Sequence, residues 1–290
     1  MDTAGPLLIA ANHPNSFLDA IILATLFKRP VYSLARGDAF ANNFYTKVLT
    51  SLKMLPVYRI SEGVENLENN YTTFSECIKI FKKNGIVLMF SEGLCKNEWH
   101  LRPLKKGTAR LAITAWQQAI PLKVLPLGIN YSSFRLFGKN VILNFGEIIE
   151  KESFNEAMPP GEAINIFNLK LEAQLKKLVI EIDKNDKAAI KKIFFIPQST
   201  AKKILLFIPA IIGYIIHFPL YYMAVLSIRK RANDHYDSIM VGLLFLFYPI
   251  YLLAIILTAH FIAGKLIVML LLLLIPFTAW SLLQLKRQFS

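Results

Sequence analysis

One histidine and one aspartate stand six residues apart near the start of the chain, in the stretch Ala11-Asn12-His13-Pro14-Asn15-Ser16-Phe17-Leu18-Asp19. A carboxylate that accepts a hydrogen bond from one imidazole nitrogen fixes the tautomer and leaves the other nitrogen able to take a proton. The chemistry such a pair offers is general-base catalysis on a hydroxyl. The same residues also suit a plainer role. Ser16-x-x-Asp19 is a capping-box-like spacing, with Asp19 near the third helical position and complementing the helix dipole. His13 is then an ordinary turn residue. Caps are far commoner than catalytic dyads, so this stretch taken alone favours the cap.

The elements that must position these residues are legible around them. Leu7–Ala11 reads as a buried strand that stops at Asn12-His13-Pro14, and Leu18–Phe27 as a helix with Ser16 at its N-cap. Further strands are expected at Val31–Leu34, Met54–Tyr58, Ile86–Phe90, Val124–Tyr131 and Val141–Phe145. Helices are expected at Phe40–Leu52, Tyr71–Lys83, Thr108–Gln118 and Ala163–Ile182, and a loop at Ile60–Asn70. Phe40, Phe44 and Tyr45 lie on one side of their helix, suited to a core or to a membrane surface. Strand–helix alternation implies an α/β fold, a mixed and mostly parallel sheet flanked by helices. Polar clusters fall at three strand ends: Asn12 and His13 with Asp19, then Arg59, then Glu92 and Gly93. Strand ends of this kind gather on one edge of a mostly parallel sheet, where α/β proteins place their sites.

Composition divides the chain. Hydrophobic residues make up 54% of it, above the usual share for a soluble domain. The excess sits in three runs free of Asp, Glu, Lys and Arg: Ile204–Ile228, Ser238–Gly264 and Leu266–Leu285. Each reaches the roughly 20 residues that cross a bilayer core. The expected plan is a catalytic domain at 1–160, an amphipathic and basic helical linker at 161–203, and an α-helical membrane region at 204–290. Net charge is +13, and residues 1–203 hold 27 Lys and Arg against 18 Asp and Glu, or +9. A basic domain tied to a membrane points to anionic headgroups or a phosphorylated substrate. No nucleic-acid module is recognisable, and nucleic acid is not the expected partner. Cys77 and Cys95 have no metal-ligand spacing and form no disulfide framework, which suits a reducing compartment. No cleavable signal peptide is expected ahead of the first strand.

Taken in order, four blocks resemble the plsC-type glycerolipid (lysophospholipid) acyltransferases. Asn12-His13-x4-Asp19 matches the first block, and Leu55-Pro56-Val57-Tyr58-Arg59 resembles the second. Phe90-Ser91-Glu92-Gly93 is similar to the third, and Val124-Leu125-Pro126-Leu127-Gly128 to the fourth. The likeness covers about residues 5–150. The fragment Asn12–Asp19 and the loop ending Pro103-Leu104-Lys105-Lys106-Gly107 look closest to a bacterial branch with an extra C-terminal membrane region. The resemblance implies transfer of a fatty acyl group from acyl-CoA or acyl carrier protein to a glycerol-phosphate or lysolipid acceptor. It implies His13 as base, Asp19 as its orienter, Arg59 on the acceptor phosphate and Glu92 on the acceptor hydroxyl. No metal or bound cofactor is required. The family's third block continues with an arginine; here Leu94-Cys95-Lys96 follows, and Lys96, Lys105 or Lys106 would supply the charge. That departure leaves a second class of function open, a non-catalytic membrane-tethered lipid-binding or regulatory protein of the same fold. A hydrolase is disfavoured, because no Gly-x-Ser-x-Gly elbow is present.

The expected location is the cytoplasmic membrane, with the catalytic domain on the cytoplasmic side where acyl thioesters are found. Three crossings would leave Arg229, Lys230, Arg231, Lys286 and Arg287 outside and Lys265 alone inside, against the positive-inside rule. The first run, with Pro209, Gly213, His217 and Pro219, is therefore expected to be re-entrant or interfacial. The other two then form a hairpin turning at Gly264-Lys265.

Overall fold

The computed structural model of the chain describes residues 4–58, 69–151, 158–228 and 234–285. It contains two compact units, one of residues 1–130 and 142–183, the other of residues 131–141 and 184–290.

The first unit is organised on six strands: β1 (Leu7–Ala11), β2 (Val31–Arg36), β3 (Met54–Val57), β4 (Ile86–Phe90), β5 (Lys123–Tyr131) and β6 (Val141–Phe145). Their order across the sheet is β3-β2-β4-β1-β5-β6. β1 lies parallel between β4 and β5, with Ala11 level with Phe90 and with Leu127. β2 runs parallel to both β3 and β4. β6 runs antiparallel to β5, since Ser132 bonds to Asn140 while Gly146 bonds to Pro126. The sheet is mixed and mostly parallel, as the alternation of elements predicts. Every residue of β1 is buried, which is why its sequence is an unbroken apolar run.

Three helices, α3 (Asn69–Lys82), α4 (Gly107–Gln117) and α5 (Pro160–Leu178), pack with Leu8, Ala10, Val87 and Val124 into one core. Leu7, Ile9 and Ala11 alternate to the other face of the sheet. α1 (Phe17–Ala24) buries Asp19, Ala20 and Leu23. Cys77 belongs to the core, and burial, reinforced by the neighbouring Glu76 charge, pushes its thiol up to about 12. It is a packing residue. Gly128 sits where a Cβ would meet the Leu178 carbonyl at 2.5 Å. The fourth block thus carries a glycine because the end of α5 closes directly on β5.

Three expectations are corrected. The stretch 40–52 is not one helix: a 3-10 turn at Gly37–Phe40 precedes α2 (Asn43–Ser51). The Asn42 side chain accepts from the Phe44 N–H at 2.7 Å and starts the helix afresh. The helix expected at 163–182 begins at Pro160 and ends at Leu178, because Val179 is extended and the Ile182 N–H pairs with the Trp99 carbonyl. The linker drawn from residue 161 is not a linker in its first half: Phe167, Leu171 and Leu175 are fully buried, and Phe167 packs on Trp116 with ring centroids 5.9 Å apart. An amphipathic pattern does not distinguish a connecting helix from one that closes a core. The loop expected at 60–70 falls, but for its last two residues, outside the described residues.

In the second unit, α6 (Lys187–Phe194) is capped by Asp186, whose carboxylate accepts from the Ala189 N–H at 2.9 Å. Two long apolar helices follow, α7 (Thr200–Ile228) and α8 (Tyr236–Leu285), and α8 is broken at Gly264, where φ is +78°. A side chain there would be strained, so glycine marks the turn between the second and third apolar runs. Gly213 of α7 lies so close to α8 that a Cβ would meet the Thr278 carbonyl at 2.3 Å, a small-residue contact of the kind membrane helices use. The Tyr251 hydroxyl donates to the Ile216 carbonyl at 2.6 Å. α7 is one unbroken helix through Pro209 and Pro219, about 43 Å long at the helical rise. It is therefore as able to cross a bilayer as either part of α8, and the expectation of a re-entrant first run rests on charge asymmetry alone. The charges concerned, Arg229, Lys230, Arg231, Lys286 and Arg287, lie outside the described residues. Lys139, in the β5–β6 loop, pairs with Asp237 in the first turn of α8, both nearly buried. Removing one partner of such a pair leaves a buried charge uncompensated.

Candidate active site

His13 stands two residues past Ala11, the end of β1, and Phe90 ends the neighbouring β4 level with Ala11. The two rings stack at 3.8 Å between centroids and 10° between planes. That stack holds the imidazole flat against the strand end. Its Nδ1 lies 2.9 Å from Asp19 Oδ2, and the Asp19 side chain is wholly buried while that of His13 is 17% exposed. The Asn15 N–H donates to the same Asp19 oxygen at 2.8 Å. Asp19 thus closes the turn and orients the ring with one atom. Nδ1 carries the proton when a carboxylate accepts it, and Nε2 is left with its lone pair.

The capping alternative is not what the structure adopts. Ser16 makes no side-chain cap bond, and the Asp19 carboxylate points to His13 and Asn15. Ser16 instead takes φ +56°, and its N–H donates to Cys95 Sγ at 3.0 Å. A non-glycine residue in the left-handed region is held there by its surroundings, here a turn bent tightly enough for Asp19 to reach back.

What holds the turn is the loop after β4. Glu92 Oε2 accepts from the His13 N–H at 2.7 Å, and Glu92 Oε1 from the Arg102 N–H at 2.8 Å. The Lys96 N–H donates to the His13 carbonyl at 3.2 Å. Asn97 Nδ2 donates to the Pro14 carbonyl at 2.7 Å. Gly93, at φ +65°, turns the chain, and a Cβ there would press on the Lys105 stem at 3.0 Å. The Lys105 N–H bonds the Ser91 carbonyl at 2.7 Å, and the Ser91 and Thr108 hydroxyls meet at 3.0 Å in the interior.

The expected site residues therefore divide. His13 and Asp19 form the dyad. Glu92 is 4% exposed and each of its oxygens accepts a backbone N–H, so the role expected on an acceptor hydroxyl gives way to holding His13 in place. Asn12 is likewise inward: its side chain accepts from the Ile129 N–H at 2.7 Å and donates to the Ile129 carbonyl at 3.0 Å, fastening the strand end to β5. Lys96 bonds the His13 carbonyl and Lys105 the Ser91 carbonyl through their backbone N–H groups, and both leave exposed side chains, as does Lys106 ahead of α4. Arg59 lies outside the described residues. Residues the sequence did not single out are Asn15, Phe90 as a ring platform, Cys95, Asn97 and Arg102. Phe90 was legible as the last residue before Ser91-Glu92-Gly93. Cys95 and Asn97 have no local signal, because their partners lie 79 and 83 positions away, and Asn15 and Arg102 act through backbone N–H groups, which every residue but proline has.

Burial pushes the Glu92 carboxyl above the usual carboxylate range, against the N–H donors of Arg102 and His13 that pull it down. A raised value means that the folded protein holds this proton more tightly than the unfolded chain does. The linked stabilisation is full below the ordinary carboxylate range and is lost as pH rises through the raised value. Glu92→Gln removes that titration, so melting curves should show the variant gaining on wild type as pH rises across this window. At neutral pH its kcat should fall on the order of tenfold with acceptor KM little changed, because a carboxamide has one acceptor oxygen for two donors. A gap in Tm that does not vary with pH would assign the burial penalty elsewhere.

Residues 1–130 match the family model described as Acyltransferase. No curated protein matches the chain. Among solved structures, the chain is similar to the crystal structure of the 1-acyl-sn-glycerophosphate (LPA) acyltransferase PlsC from Thermotoga maritima. The identity is 14% and the TM-score 0.40, over 61% of this chain and 66% of that one. The chain thus spans just under two thirds of that protein's length.

Proposed function

We propose that the protein is a membrane-bound O-acyltransferase of phospholipid synthesis, a reading supported by the match of residues 1–130 to the family model described as Acyltransferase. The donor is an acyl thioester, acyl-CoA or acyl carrier protein, and the acceptor a glycerol-phosphate-type alcohol, lysophosphatidic acid or glycerol 3-phosphate. The observation that carries this reading is the His13–Asp19 contact of 2.9 Å just past the end of a central parallel strand, with the His13 side chain partly exposed. In the proposed reaction Nε2 removes the acceptor hydroxyl proton as that oxygen attacks the thioester carbonyl. The tetrahedral adduct collapses by breaking its C–S bond, and the departing thiolate takes the proton back from the imidazolium. Asp19 stabilises the imidazolium meanwhile. A thioester is already activated, so the chain needs no covalent intermediate and the reading calls for no metal. Phosphate on the acceptor fits the basic surface, with Arg59 as its fork-shaped donor and Lys96, Lys105 and Lys106 as point charges. The domain would work at the cytoplasmic face of the membrane.

The test is an acceptor panel with labelled acyl-CoA and acyl carrier protein, using purified protein in lipid. Transfer to a phosphorylated glycerol acceptor, absent with the non-phosphorylated analogue, is the expected result. In the same assay Arg59→Lys should raise acceptor KM several-fold and leave donor KM unchanged, because the fork is lost and the charge kept. An equal rise in both would make Arg59 structural. No transfer to any acceptor would favour the lipid-binding alternative.

A further inference from the structure

α2 crosses between β2 and β3 and buries no residue of its own. Its Phe44 is 68% exposed, Tyr45 58%, Leu52, just past its end, 51%, and Val48 40%. At 100° per residue these four fall within an arc of about 100°. Thr46 and Leu49, half-buried, lie on the adjoining side beyond Tyr45, where the helix rests on its own domain. The Phe44 and Tyr45 rings touch edge to face with centroids 5.9 Å apart. The outward arc is therefore apolar and aromatic, flanked by Lys47 and followed by Lys53. Between Asp38 and Glu62 the sequence has no acidic residue.

An apolar face of this kind is unfavourable in water, and α2 holds it outward, away from its own core. We infer that α2 is an interfacial membrane contact of the acyltransferase domain. Phe44, Tyr45, Val48 and Leu52 enter the acyl–headgroup boundary of a phospholipid bilayer, and Lys47 and Lys53 meet anionic headgroups. Two observations select the bilayer as the occupant. The same chain carries apolar helices of membrane-crossing length, which on the membrane-bound reading proposed above hold the domain beside a lipid surface. The patch is aromatic with basic flanks and no acidic ones, the pattern of interfacial helices on anionic lipid.

The experiment labels Val48→Cys with an environment-sensitive nitrobenzoxadiazole in full-length protein reconstituted into phosphatidylethanolamine–phosphatidylglycerol vesicles. Leu169→Cys on α5, where Leu169 is 67% exposed, serves as the solvent reference. Wild type carrying only its buried cysteines sets the background. The position-48 label should be quenched by acyl-chain nitroxide lipid and resist aqueous iodide several-fold better than the position-169 label. Adding Phe44→Asp and Leu52→Asp should restore iodide quenching to the reference level. Iodide quenching equal at both positions with no lipid quenching would overturn the inference. So would self-quenching that grows with protein density in place of lipid quenching, which would assign the face to a second copy. Unchanged shielding in the double aspartate variant would also overturn it. None of these readouts depends on turnover.

Discussion

Replacing His13 by Ala should lower kcat by about 10²–10⁴-fold, the usual worth of a positioned general base. The fold should survive, because the contacts that tie residue 13 to its surroundings are made by its backbone. Its N–H goes to Glu92 and its carbonyl to the Lys96 N–H, and an alanine keeps both. What is lost is the ring, with its stack on Phe90 and its bond to Asp19. Turnover should be measured with thermal melting and membrane co-sedimentation of the same preparation. Full activity in a folded His13→Ala protein would remove His13 from the catalytic role.

Asp19→Asn should cost less, about 10- to 100-fold in kcat, with acceptor and donor KM nearly unchanged. The reason lies in one atom. Asp19 Oδ2 accepts both from His13 Nδ1 and from the Asn15 N–H. An asparagine can put its carbonyl oxygen in that place and keep both bonds, losing only the charge. A hydrogen bond to a charged group is worth about 1.5–3 kcal/mol against about 1 for a neutral one, and each ~1.4 kcal/mol is tenfold in rate. Asp19→Ala removes the acceptor for both donors inside the domain. It should therefore also lower Tm, which Asp19→Asn should do only slightly. Equal kcat losses in the two variants would show that charge, not geometry, is what Asp19 supplies. A rise in KM without a fall in kcat would place Asp19 in substrate binding.

Much of this protein was determined by local sequence alone. An uninterrupted apolar run such as Leu7–Ala11 has few homes other than a strand covered on both faces. Alternation of such strands with amphipathic helices implied the mostly parallel sheet. The three uncharged runs after Lys203 became the three helical stretches of α7 and α8, with the break at Gly264 where a glycine stood between two of them. His13 and Asp19 are six residues apart on one turn, so a single turn conformation sufficed to bring them together.

Tertiary structure decided what the other residues do. Glu92 and Asn12 have the same polar character whether they face substrate or the interior. Only the parallel pairing of β1 with β4 and β5 turned them inward, onto the backbones of His13 and Ile129. The choice between cap and dyad for Asp19 was likewise open in the sequence. It was settled by the loop 91–97, which grips the turn from 79 or more residues away. Amphipathic periodicity shows that a helix has two faces but not what covers each. α5 turned out to close the core and α2 to face outward, although both alternate apolar and polar residues in the same way. Coverage is a long-range property: it depends on which segments the sheet order brings alongside, and no local window of residues contains that information.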